Sequence, residues 1–186
     1  MSVQLIAVGY AVHWLFDLAH PLFSLLMILI MTVFSAQIIL SHAEVPFRAF
    51  FPSLLAVSLL VNGTLTLFFL FLILNHTESL EPRYLIPVAG MLSGNSMNSG
   101  VIALKTLHQS ITRRRDLAEQ KLAFGASPKE AVSDFLSESF KLALLPTLSS
   151  MAGMGLVSLP GMMTGQILSG TSPLLAIRYQ IAIMLA

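Results

Sequence analysis

The sequence predicts an all-α, polytopic membrane protein with about five to six transmembrane helices and a cytoplasmic helical hairpin. Of its 186 residues, 55% are hydrophobic and only 10% are charged, whereas about a quarter of the residues of a soluble domain are charged. The mean hydropathy is +0.82. Because long uncharged runs dominate and one segment holds most of the charges, we expect a single transmembrane domain over residues 1–186, with the hairpin at residues 105–141.

Long uncharged runs mark the predicted crossings. The first three runs contain 19, 25 and 21 residues and are residues 22–40, 51–75 and 84–104. A helix needs about 20 apolar residues to cross the hydrocarbon core of a bilayer. Each of these three runs therefore predicts one crossing helix.

The fourth uncharged run, residues 142–177, contains 36 residues and is too long for one crossing. We expect a crossing from about Leu142 to Leu159, followed by a bent segment that ends near Gly170. A further helix is expected to begin at Pro173, because proline suits the first position of a helix.

Residues 105–141 hold 12 of the 19 formal charges. Each charge at the bilayer centre costs about 2.5–3.5 kcal/mol, so this segment must lie in water. It also holds seven of the ten basic residues, and the positive-inside rule therefore places it in the cytoplasm. We expect the chain to cross the cell inner membrane several times. The loop at residues 75–83 carries Glu78 and Glu81 and is expected on the outer side.

This charged segment is predicted to form two helices joined by a tight turn. The first helix is expected to end just before Gly125, since glycine is the preferred residue for a left-handed C-cap. Ser127 is a good N-cap for the second helix, and Pro128 fits its first position. Glu130 follows Ser127 by three residues, which predicts a capping box.

The second hairpin helix is expected to carry one apolar stripe. Its members recur at helical spacing and are Ala131, Val132, Phe135, Leu136 and Phe140. Such a hairpin either packs against its own helical bundle or docks a cytoplasmic partner. The tightly specified turn favours a partner, because a passive connection needs no fixed geometry.

Small, polar and sulfur-containing residues in the crossings are candidates for a translocation path or for helix packing. Glycines four residues apart let helix backbones approach closely. Buried amides need partners, so they either bond across helices or line a path with water. Thioethers suit Cu(I) better than iron, although methionine at apolar positions usually serves packing. The candidates are Gly90, Met91, Gly94, Asn95, Asn98, Gly161, Met162, Met163 and Gly165.

Several stretches of the sequence resemble known permease families. Residues 119–126, Glu-Gln-Lys-Leu-Ala-Phe-Gly-Ala, resemble the EAA loop of ABC permeases, in which a glutamate precedes a glycine by six positions. The chain as a whole resembles the FetB-type family of bacterial iron-export permeases and the related plant aluminium-tolerance permeases. The similar stretches are residues 86–91, 94–97, 119–128, 144–147, 155–165 and 176–180. The phrase Gly-Leu-Val-Ser-Leu-Pro-Gly-Met-Met at residues 155–163 is the most specific of them.

The resemblance implies the membrane-spanning permease of an ABC-type exporter for iron or another metal ion. A separate ATPase subunit would bind the ATP, and two copies of the chain would pair. The implied coupling residues are Glu119, Gly125, Ala126, Ser127 and Pro128. The plant relatives imply a nucleotide sugar as another cargo. Family members look longer at both ends, and as helices residues 1–16 and 173–186 would reach only about 24 Å and 21 Å, short of a hydrocarbon core of about 30 Å. We expect a chain that lacks the first helix and part of the last; misplaced gene ends, or neighbouring helices that cover the short ends, are the alternatives.

The residues themselves restrict the chemistry. We find no phosphate-binding loop and no nucleophile beside a base, so we expect no enzyme activity and no cofactor bound by this chain. The net charge of +1 gives no reason to expect a nucleic acid partner. The five histidines do not cluster along the sequence, so the metal ligands remain unassigned. An ATP-independent carrier or channel is one alternative, and a membrane scaffold is another. The helix interruption at Pro160–Gly161 favours the carrier hypothesis, because carriers often contain broken helices.

Overall fold

The computed structural model describes residues 6, 8–10, 21–43, 47–73 and 82–185, and among these it contains seven named helices and no strand. The helices are α1 (Pro21–Ala43), α2 (Phe47–Ile73), α3 (Pro82–Arg113), α4 (Arg115–Ala123), α5 (Pro128–Gly153), α6 (Gly161–Leu168) and α7 (Pro173–Leu185). The all-α prediction is therefore confirmed for this part of the chain. The predicted outer loop with Glu78 and Glu81 lies outside the described residues.

Two described helices are long and apolar enough to cross a membrane. Leu22–His42 has a mean hydropathy of 2.4 and Phe51–Phe68 one of 1.7. Only 22% and 11% of these stretches are buried within the chain, whereas the core helix of a soluble protein would be mostly buried. Large side chains such as Leu25, Phe34 and Leu60 are exposed, as lipid-facing residues are in a bilayer. The number of further crossings stays a prediction.

Helix α3 joins the third predicted crossing to the hairpin. It is 32 residues long, about 48 Å at 1.5 Å per residue. It packs against α1, α2 and α5. Its residues Leu85, Val88 and Leu92 form a buried apolar cluster with Ile183 of α7. The core therefore lies on the half of α3 that precedes the hairpin.

The crossing predicted from about Leu142 to Leu159 is wrong in extent, because α5 ends at Gly153. Gly155 then adopts a left-handed φ of +81°, and its N–H donates to the carbonyl of Ser158 at 2.9 Å. Residues 142–153 alone reach about 18 Å, well short of a hydrocarbon core of about 30 Å. The chain thus turns part-way along the predicted crossing.

Two helices follow this turn where a bent segment and a new helix were predicted. Helix α6 begins at Gly161, and Pro160 is its N-cap residue. Gly170 closes it with a φ of +93°. The predicted start of the next helix is confirmed, because α7 begins at Pro173 and the N–H of Leu175 donates to Ser172 Oγ at 3.4 Å.

The glycine pairs do not mark the close helix contact that their spacing suggested. A Cβ atom added at Gly90 would lie 3.7 Å from Met31 Sδ, an ordinary contact. In the part of the chain that the structure describes, nothing lies within 4 Å of a Cβ atom added at Gly94, Gly161 or Gly165. Among the described residues these three glycines therefore make no close helix contact, and their role in packing or in a path stays a prediction. Spacing alone cannot show which face of a helix meets a neighbour.

The tight helix contact lies instead at Gly100, which the sequence reasoning missed. A Cβ atom added there would lie 3.1 Å from Ile39 Cδ1, and Ile39 is buried in α1. We expect Gly100→Val to lower the free energy of unfolding by about 1–3 kcal/mol through overpacking. Thermal unfolding of the purified variant and wild-type chains in detergent measures this loss of stability. Gly94→Val is the matched control, and equal loss by both variants would contradict the contact.

Candidate functional site

The hairpin turn is defined by a complete helix C-cap. Gly125 adopts a left-handed φ of +90°, as predicted. Its N–H donates to the carbonyl of Leu122, and the N–H of Ala126 donates to that of Lys121, both at 3.0 Å. These two bonds form a Schellman motif. The end of α4 therefore has one backbone geometry, and a residue with a side chain at Gly125 would be strained.

The predicted capping box at the start of α5 is confirmed. Ser127 Oγ accepts from the N–H of Glu130 at 3.4 Å, and the N–H of Ser127 donates to Glu130 Oε2 at 2.8 Å. Pro128 occupies the first helical position. The hydrogen bond from the Ser127 N–H lowers the pKa of Glu130 below its usual value, and the bond from the Ser127 hydroxyl lowers it to a smaller extent. Because this pKa is lowered in the folded chain, the cap is complete at neutral pH and weakens as the pH falls through that lowered value.

Ion pairs join the two hairpin helices. Lys121 Nζ lies 2.6 Å from Asp134 Oδ2, and this bond and charge lower the pKa of Asp134. Arg114 pairs with Glu138 and lies 4.9 Å above the ring of Phe135. Exposed ion pairs contribute little individually. These contacts link α5 to α4 through Lys121 and to the junction before α4 through Arg114.

Arg114 also interrupts the first helix of the hairpin, which was predicted to be continuous. Its φ of −117° and ψ of 34° separate α3 from α4. Away from helical geometry, its guanidinium reaches Glu138 on α5. The neighbouring Arg115 stays within α4 and binds Glu119 Oε1 at 2.7 Å. The interruption thus accompanies a link between helices that the sequence pattern could not show.

The buried side of α5 differs from the predicted apolar stripe. Its buried residues follow a four-residue spacing and are Ala131, Phe135, Ser139 and Ala143. Val132 is half-buried, whereas Leu136 and Phe140 are exposed. Helical spacing groups these side chains but does not decide which row meets α3 and α4. Leu136 and Phe140 of the predicted stripe thus remain on the hairpin surface.

The tip of the hairpin presents an aromatic residue that the sequence reasoning missed. Phe124 is 92% exposed and immediately precedes Gly125. Ser127 and Pro128 are exposed beside it, and Ala126 is half-buried. Glu119 is also exposed but lies farther back on α4. Aromatic side chains are frequent anchors of protein interfaces, so this exposed phenylalanine on a fixed turn is a candidate contact residue. The available signal was a phenylalanine at a turn between charged helices.

The predicted amides of α3 lie in a polar cleft against α5. Asn95, Asn98 and Ser99 face Thr147 and Ser150 across a cavity of about 180 Å³. Pro146 of α5 also lines it, and proline cannot donate the usual helical hydrogen bond to the carbonyl four residues earlier. The cleft therefore gathers neutral hydroxyl and amide groups, together with the apolar Ile102 and Ala143, beside an interrupted hydrogen-bond ladder.

A neighbouring polar residue bonds across helices instead. Ser96 donates to Asn62 Oδ1 of α2 at 2.8 Å, and Asn62 is buried. Hydrogen bonds between membrane helices contribute about 0.6–2 kcal/mol. The bond across helices thus occurs at Ser96, whereas Asn95 and Asn98 lie on another face of α3 and line the cleft.

The predicted methionines separate into two environments. Met91 and Met162 pack against the apolar cluster of α3 and α7. Met163 lines a second cavity near the end of α5. Among the described residues, no group of three His, Asp or Glu side chains could hold a metal ion. The path role of the glycines, amides and methionines stays a prediction.

Comparison with known proteins relates the whole chain to one family. The model of the family described as Uncharacterised protein family (UPF0014) matches residues 1–186. UPF0014 membrane protein YjkA of Bacillus subtilis is 36% identical over 98% of this chain and 72% of its own length. Probable iron export permease protein FetB of Escherichia coli is 35% identical over 97% and 68%. Protein ALUMINUM SENSITIVE 3 of Arabidopsis thaliana is 41% identical over 69% and 46%. No solved structure gives a significant match.

Proposed function

Because the chain belongs to the UPF0014 family of membrane proteins, we propose that it is the permease subunit of an ABC-type exporter. In this proposal a separate ATPase subunit binds and hydrolyses ATP, and the chain itself is no enzyme and binds no cofactor. Two copies of the chain pair within the cell inner membrane. The hairpin turn lies in the cytoplasm and docks the ATPase.

The observation that carries the proposal is the fixed, exposed turn with Phe124 at its tip. A docking element must hold its shape when a partner pushes it, and the Schellman motif and the capping box supply that rigidity. The ion pairs Arg114–Glu138 and Lys121–Asp134 support the turn from both helices. A loop that only connected two crossings would need none of these devices.

Helix α5 supplies the proposed link from ATPase to cargo. It begins at Pro128 beside the turn and continues to Gly153 as one helix of 26 residues. Thr147 and Ser150 on the same helix line the polar cleft. When the two ATPase subunits close on ATP, they displace the turn, and α5 moves one wall of the cleft. Access to the cleft then changes from the inner to the outer side.

The cargo follows from the relatives more than from the site. A relative is named as a probable iron export permease, so iron or another metal ion is the proposed cargo, and a nucleotide sugar is the alternative. A second candidate function is an ATP-independent carrier. The end of α5 at Gly153 and the short helix α6 favour it, because broken helices form the binding sites of many secondary carriers.

The test is association with the ATPase. We expect Gly125→Arg combined with Ser127→Arg to abolish copurification with a coexpressed candidate phosphate-loop ATPase subunit, since the variant adds bulk and charge to the docking turn. Gln109→Arg combined with Ser137→Arg is the control, because both residues are exposed away from the turn. Unaltered ATPase binding by the first variant would count against the proposal. Vesicle transport that needs neither ATP nor the partner would favour the carrier.

A further inference from the structure

A second cavity lies at the far end of α5 from the hairpin turn. Its volume is about 400 Å³, and it lies among the end of α5, the turn at residues 154–160, α6 and α7. Four methionines from all of these elements line it: Met151, Met154, Met163 and Met184. Apart from Met163, the sequence reasoning singled out none of them, because they meet only in the folded chain.

The same cavity holds a polar group without a partner. Gln180 of α7 lines the cavity and is only 8% exposed. In the part of the chain that the structure describes, its Oε1 atom accepts no hydrogen bond. A buried amide oxygen without a partner is unfavourable, so a ligand that binds an oxygen lone pair would remove that penalty.

The cavity adjoins the polar cleft. Met184 lines both the cavity and the cleft that contains Asn95 and Asn98. The two spaces therefore meet at one methionine side chain.

We propose that the methionine-lined cavity binds a soft monovalent metal ion of the Cu(I) class. Thioether sulfur is a soft, neutral ligand that selects Cu(I) over hard cations. The described lining carries no acidic side chain, and a neutral site desolvates one positive charge more easily than two. Methionine side chains are flexible and can adjust around an ion. Rotation of the Gln180 side chain would turn its enclosed Oε1 atom toward the ion as one oxygen ligand.

The inference rests on the proposed function only for the statement that the bound ion is cargo. Binding itself needs no ATPase and is measured on the purified chain alone. If the chain docks the ATPase but binds no soft ion, this inference fails and the proposed function stands. If the chain binds the ion but no ATPase, the site stands and the proposed function fails.

The test uses Ag(I), which matches Cu(I) in charge and softness and resists oxidation. The full chain in detergent is titrated with Ag(I) in chloride-free buffer, and the retained metal is measured by mass spectrometry after gel filtration. We expect about one Ag(I) per chain and sulfur neighbours in X-ray absorption. Fe(II) under the same conditions is expected to bind at least tenfold more weakly.

The control is the methionine next to Met163 in the sequence. Met151→Leu combined with Met163→Leu should lower the Ag(I) affinity at least tenfold, because leucine keeps the apolar volume and removes the sulfur. Met162→Leu should leave it unchanged, since Met162 packs against the core cluster instead. The proposal would be overturned if the double variant bound Ag(I) as tightly as the wild type. It would also be overturned if the double variant kept the same sulfur neighbours in X-ray absorption. An absence of Ag(I) binding to the folded wild type would overturn it as well.

Discussion

A chain that carries Phe124→Ser is expected to bind the proposed ATPase subunit about thirtyfold more weakly than the wild type. Truncation of a central aromatic hot spot typically costs about 2 kcal/mol or more, and about 1.4 kcal/mol corresponds to a tenfold change in affinity. Phe124 is 92% exposed in the free chain, so its removal leaves no cavity. The fold should therefore survive while the docking contact is lost.

The measurement is the dissociation constant of the purified pair in nanodiscs. Phe140→Ser is the matched control, because Phe140 is a second exposed phenylalanine of the hairpin and lies on α5 away from the turn. It should bind the ATPase with wild-type affinity. Equal weakening by the two variants would show that general hydrophobicity acts here, and an unaffected Phe124→Ser chain would remove Phe124 from the docking surface.

A cysteine placed at Lys129 is expected to react with a membrane-impermeant thiol reagent in inside-out vesicles and not in intact spheroplasts. The chain contains no cysteine, so Lys129→Cys introduces one thiol and the wild-type chain gives no labelling of its own. Lys129 is exposed beside the turn, and the positive-inside rule places this segment in the cytoplasm. The expected outcome is close to all or none.

Thr77→Cys, in the loop predicted on the outer side, supplies the reciprocal control. It should react in spheroplasts and be protected in sealed inside-out vesicles. Labelling of Lys129→Cys from outside would place the hairpin on the wrong side for ATP, and the ABC proposal would fail. Labelling of both positions from one side would instead show that the number of crossings between them was misjudged.

Short-range signals in the sequence were sufficient for the hairpin turn. Gly125 adopts the predicted left-handed backbone, and Ser127 with Glu130 forms the predicted capping box. These features depend on bonds between residues at most five positions apart, so neighbouring residue types determine them. The start of α7 at Pro173 could be predicted for the same reason.

Features that depend on distant residues could not be predicted in this way. The contact of Gly100 with Ile39 joins helices α3 and α1, and glycine spacing pointed to other positions. Phe135 is buried and Phe140 exposed, although both belong to the same apolar pattern. The methionine-lined cavity needs the turn after Gly153, which brings α6 and α7 back beside α5. Only the packed chain decides which residues meet.

Pro146 has a mechanical consequence for a chain that is driven from one end. A helix that lacks one of its backbone hydrogen bonds bends more easily at that point. The arm of α5 from Pro128 to Pro146 carries the hairpin ion pairs, whereas residues 147–153 contain no charged side chain. In the proposed exporter, a thrust at the hairpin end of α5 is therefore expected to tilt the arm beyond Pro146, so that a small displacement of the turn opens the cleft by a larger angle.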